Sequence, residues 1–179
     1  MRVYKLRSVE AAEIAEAAVV MPVVFIFLLG IIWFGRAFNI YSTITQAAQQ
    51  GALMAARPAC ATCPAPAGAW GGNFPSNATV VNTVTAVMQA SSLDPSQIIS
   101  GTGNPIPSCT SNSNILICRE VRLDLPLGSA PQACTPPQEL QVCGTMVSFQ
   151  YPFQFYLPFT SLNLSRVIMS AQAQSRMEN

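Results

Sequence analysis

Over the first third of the chain the apolar positions first run together and then space out. From Ala17 to Gly35 (AAVVMPVVFIFLLGIIWFG) there is no charge and no Ser, Thr, Asn or Gln. As a helix rising 1.5 Å per residue this run reaches about 28 Å, close to the roughly 30 Å hydrocarbon layer of a bilayer. It predicts a membrane-spanning helix. Beyond Arg36 apolar residues recur every three or four positions, at Phe38, Tyr41, Ile44, Ala48, Ala52 and Ala55, with Asn39, Thr43, Gln46, Gln49 and Gln50 mostly between them. That spacing is the stripe of an amphipathic helix. No breaker separates the two patterns, so one helix is expected from about Glu13 to Ala56, crossing the membrane and continuing as a spine, with Pro58 marking its end.

The remaining pattern is shorter in period. Residues 78–90 (ATVVNTVTAVMQA) place Val80, Val81, Val84, Val87 and Met88 on one helical face, with Ser76 or Asn77 as cap and Asp94-Pro95 beyond the end. Their β-branched residues leave a strand as the alternative. From Ser96 onward alternation takes over. Gln97–Ser100 is a short strand. Asn114–Leu125 puts Ile115, Ile117, Arg119, Val121 and Leu123 on one parity, and Leu116, Cys118, Glu120, Arg122 and Asp124 on the other. Thr145–Leu157 carries Val147, Phe149, Tyr151, Phe153 and Phe155 at every second position, a face suited to a core against the spine helix rather than to glycan stacking. Leu162–Gln174 is the last strand.

The six cysteines, Cys60, Cys63, Cys109, Cys118, Cys134 and Cys143, all follow the apolar run, as disulfides formed outside the cytoplasm would. Loop closure favours the near pairs Cys60–Cys63, Cys109–Cys118 and Cys134–Cys143. The second closes a turn at SCTSNSN and the third a turn at CTPPQELQVC. Cys60-Ala-Thr-Cys63 has redox spacing, yet sits in a Pro- and Gly-rich loop without the strand-to-helix setting of a thioredoxin-type site, so a structural staple is the reading.

Charge sets the orientation. Arg2, Lys5 and Arg7 precede the apolar run and only Arg36 lies close after it, which places the N-terminus in the cytoplasm. A cleaved signal peptide is the rival, but its apolar core is shorter and leads to a cleavage site rather than into more helix. Pro22 removes one helix hydrogen bond and is the candidate kink. Glu13 and Glu16 complement the helix dipole at the interface, or Glu16 meets a positive group on another subunit. A net charge of +1, with Asp94 the only charged residue between Pro58 and Cys118, offers nucleic acid no surface. There is no histidine, no phosphate-binding loop and no paired carboxylate outside the N-terminus, so no enzyme activity, cofactor or metal site is expected.

The segment from Glu16 to Ala56 resembles the N-terminal signature of TadE-like proteins, minor pseudopilins of tight-adherence (Flp-type) pilus systems. The matching residues are Glu16 with Pro22 six positions on, then Gly30, Phe34, Gly35 and Arg36, then the Gly51-Ala52 pair. The resemblance implies processing by a prepilin peptidase with the Glu at the fifth mature position, hence between Ala11 and Ala12. The family usually has Gly before the cut, where this chain has Ala11. It further implies a bacterial inner-membrane protein with its C-terminal domain outside the cytoplasm, and partners among other pilin subunits and the assembly machinery, in a homo- or hetero-oligomeric filament.

The expected architecture is therefore α+β. Residues 1–12 form a leader or tail, 13–57 a transmembrane and spine helix, and 58–179 an extracytoplasmic domain with a small antiparallel sheet and one short helix, stapled by disulfides. A permanently anchored envelope protein that binds a surface partner is the alternative to a pilus subunit.

Overall fold

The computed structural model describes residues 3–57, 74–101, 109–124, 132–134, 142–155 and 164–176, the side chains of 3–12, 155, 164 and 165 excepted. The chain divides into two units, residues 1–39 and 40–179. Helix α1 is Val3–Ala56. It starts upstream of Glu13 because residues 3–12 (VYKLRSVEAA) contain helix formers and neither Gly nor Pro.

The second unit is α+β. Helix α2 (Asn77–Ala90) is capped by Ser76, whose hydroxyl accepts the Thr79 N–H at 3.2 Å. At its other end Ser92 adopts φ 59°, Ser92 N–H donates to Gln89 O, and Leu93 N–H donates to Met88 O, a Schellman closure with Ser at the position usually given to Gly. A short 3-10 turn, Pro95–Gln97, leads into β1 (Ile99–Ser100). Strands β2 (Cys109–Asn112), β3 (Ile115–Arg122), β4 (Cys143–Phe155) and β5 (Leu164–Arg176) complete an antiparallel sheet. β4 is central. β5 pairs along one edge from Gly144 to Phe155, and the other edge is shared by β3 and then β1.

One face of the sheet carries the main core. Ile44, Ala47, Ala48, Ala52 and Ala55 of α1 and Val80, Val81, Val84 and Met88 of α2 pack on Ile115 and Ile117 of β3, Val147, Phe149 and Tyr151 of β4, and Ala171 and Ala173 of β5. The alternation of β4 thus becomes core against the spine helix. The stripe on α1 is shorter than its periodicity suggests, because Phe38 and Tyr41 are exposed and burial begins at Ile44, with Ile40 half-buried. Gly51 permits a close approach of α2 to α1: a Cβ there would lie 2.6 Å from Cγ2 of Val84.

Two local readings change. SCTSNSN is not a single turn. Cys109–Asn112 forms β2 directly opposite β3, with Cys109 facing Cys118, and the reversal is confined to Ser113-Asn114, both at positive φ (50° and 64°) as a two-residue primed hairpin turn requires. The parity of β3 also breaks. Glu120 sits at φ 54° and the register with β4 shifts between Cys118 and Val121, which marks a bulge. Val121 therefore joins Leu116, Cys118 and Met146 in a second cluster instead of Ile115 and Ile117. The bulge also receives residues 132–134: Cys134 N–H donates to Glu120 O and Arg122 N–H to Gln132 O.

Candidate membrane and assembly segment

The segment that calls for a partner is the first part of α1. Fourteen large apolar side chains between Ile14 and Phe38 are 45–76% exposed. Full burial of such a side chain is favourable by about 1.5–3 kcal/mol, so covering this surface is worth on the order of 20 kcal/mol, more than the 5–15 kcal/mol that holds a typical domain folded. Water is the wrong solvent for it. Glu13–Ala56 is long and apolar enough to cross a membrane, and its most apolar 18-residue window has no buried residue.

Charges bracket the apolar run. Glu13 and Glu16 are exposed at one side and Arg36 stands at the other, its guanidinium 6.0 Å from the ring centre of Trp33. An Arg over an indole, one turn apart on a helix, is an arrangement suited to a membrane–water boundary. Pro22 lies inside α1 without ending it. A methyl group placed on Gly30 or Gly35 would meet nothing within 4 Å, so within this chain their lack of a side chain is unused. The Ala11–Ala12 bond lies within the backbone of α1.

The family model described as TadE-like protein matches residues 11–53. Over that segment the chain resembles TadE-like proteins. The TadE-like match points to a Tad pilus-associated protein, and the apolar helix to membrane association. No curated protein and no solved structure matches the chain. The TadE-like segment covers Glu16, Pro22, Gly30, Arg36 and Gly51 together, and the structure assigns one of them a packing reason: Gly51 is where α2 meets α1.

The structure joins Cys109 to Cys118, with Cα atoms 3.9 Å apart, and Cys134 to Cys143, at 6.2 Å. Cys60 and Cys63 lie outside the described residues. The first disulfide sits between two adjacent strands, and the second ties the segment received by the Glu120 bulge to the start of β4. Three features had no signal in the sequence pattern. The Thr145 hydroxyl donates to Ala52 O at 3.1 Å. Arg119 donates to Pro75 O at 2.5 Å and lies 5.8 Å from the Phe74 ring centre, holding the entry to α2, and its partial burial lowers its pKa from the ordinary arginine value. Arg57 and Arg176 line a common cleft. At the start of α2, Asn77 donates its side-chain amide to Thr110 Oγ1 of β2 at 2.6 Å.

Proposed function

We propose that this protein is a structural subunit, a minor pilin or pseudopilin of a tight-adherence-type pilus, that assembles through the N-terminal apolar helix and has no enzymatic role. The observation that carries the reading is the coincidence of the TadE-like match with the exposed apolar part of α1. The helix serves twice, first in lipid and then in a bundle of subunit helices that replaces the lipid. Both settings are apolar, so the exchange costs little and specificity falls to packing and to charge, Glu16 foremost. Arg2, Lys5 and Arg7 hold the N-terminus in the cytoplasm and the disulfide-bonded domain outside.

Ala11, where the family usually has Gly, favours one second reading: a permanently anchored envelope protein that never enters a filament. Shearing surface filaments from cells and probing them for this chain separates the two. Co-purification with other pilins, lost on Glu16→Ala while the protein stays in the membrane, is the expected result. A chain found only in membranes, with or without Glu16, overturns the filament reading.

A further inference from the structure

The end of α1 and the end of β5 enclose a cleft of about 110 Å³ lined by Leu53, Ala56, Arg57, Ser175 and Arg176. Two arginines therefore line one small cleft. Among the described residues neither forms an ion pair; the ion pair found there joins Arg122 to Asp124. The closing carbonyls of α1 bring about half a negative charge to this end of the helix, well short of balancing two positive charges. Among the described residues no carboxylate lines the cleft.

The rest of the wall limits what completes it. Leu53 (43% exposed) and Ala56 supply apolar surface, and the Ser175 carbonyl faces the Thr145 hydroxyl at 3.5 Å. A guanidinium presents two parallel N–H groups that match the two oxygens of a planar carboxylate, and a Leu wall suits methylene groups. The volume admits a carboxylate with two or three carbons, given a share of about 30 Å³ for each water in the liquid. We infer that this cleft binds an aliphatic carboxylate, the Glu or Asp side chain or C-terminal carboxylate of a protein partner. Arg57 and Arg176 fork its oxygens and Leu53 packs on its stem. The site is formed within residues 40–179 and does not rest on the filament reading.

The test uses the full chain in detergent micelles with its arginine side chains isotopically labelled, and follows their Nε–H resonances by NMR while glutarate or inorganic phosphate is added at constant ionic strength. Glutarate is expected to move Arg57 and Arg176 saturably with one shared midpoint, while Arg36 and Arg166 drift linearly. Removing one fork removes a charged hydrogen-bonding partner, so Arg176→Gln should raise the midpoint at Arg57 by about tenfold or more. Arg166→Gln should leave it unchanged. Linear drift of all four arginines, or tighter saturation by phosphate than by glutarate, overturns the inference. So does saturation that appears only after Glu178→Gln, because the cleft would then serve the chain's own carboxylate.

Discussion

The hydroxyl of Thr145 donates a 3.1 Å hydrogen bond to the main-chain carbonyl of Ala52, and both residues are fully buried. It joins the central strand to the last turns of α1, inside the unit formed by residues 40–179. A hydroxyl buried there would be costly if unpaired, so its bond to the helix fixes where along α1 the sheet docks. Thr145→Val keeps the shape and removes the donor. It should lower the stability of the full chain in micelles by about 1–2 kcal/mol, read from denaturant midpoints. An unchanged midpoint would show that neither this bond nor the 3.5 Å contact with Ser175 O contributes to stability.

Gly51 meets Val84 too closely for a side chain. Ala in a helix gains about 1 kcal/mol over Gly, whereas forcing a methyl into a packed contact costs about 1–3 kcal/mol. Gly51→Ala should therefore be net destabilising by roughly 1 kcal/mol, and the loss should vanish in a Val84→Ala background. Gly35→Ala, with open space around it, should not destabilise the domain. Thermal melts of the four variants give the comparison. Equal effects of Gly51→Ala with and without Val84 would refute the contact.

The Cys109–Cys118 bond closes a loop of sequence separation 9 between paired strands. Replacing both cysteines by Ala should cost about 2–3 kcal/mol by restoring freedom to the unfolded chain. Urea unfolding of the oxidised and variant proteins measures it.

Acid and alkali should act through different groups. Hydrogen bonds from Ser96 hold Asp94 below the ordinary carboxylate value, and the Arg122 guanidinium does the same for Asp124. A lowered carboxylate favours the folded state above the unfolded value of about 3.9, and that contribution is lost as pH falls through the folded value. Tyr151 is shifted the other way by burial, so its contribution is present below about 10 and lost as pH rises through its raised value. With no histidine in the chain, stability should be flat from about pH 5 to 8. Tyr151→Phe should carry the alkaline fall to higher pH in melts run from about pH 3 to 11. A slope between about pH 5 and 8 would contradict this account.

How far the sequence foretold the molecule depends on whether a feature is written in local periodicity. The long helix was legible because nothing between Glu13 and Ala56 interrupts it, and the β4 face because Val147 to Phe153 alternate strictly. Phe38 and Tyr41 continue the α1 stripe in sequence yet stay exposed, since period alone does not say where the covering sheet stops. The switch of Val121 to the other face hangs on one left-handed residue, Glu120, which hydrophobic alternation does not encode. The strand in SCTSNSN was hidden by its polar residues, although the disulfide aligns Cys109 with Cys118. Arg57 and Arg176 were invisible as a pair because only the fold brings the end of α1 to the end of β5.

The most direct test of the central claim is the intact mass and N-terminal sequence of the native protein, taken from sheared surface filaments and from washed membranes. The account predicts a species in the filaments that begins at Ala12, cut after Ala11, with Glu16 as its fifth residue. A chain that retains Arg2 to Ala11 and occurs only in membranes would contradict it, and the TadE-like segment would then be an anchor and nothing more.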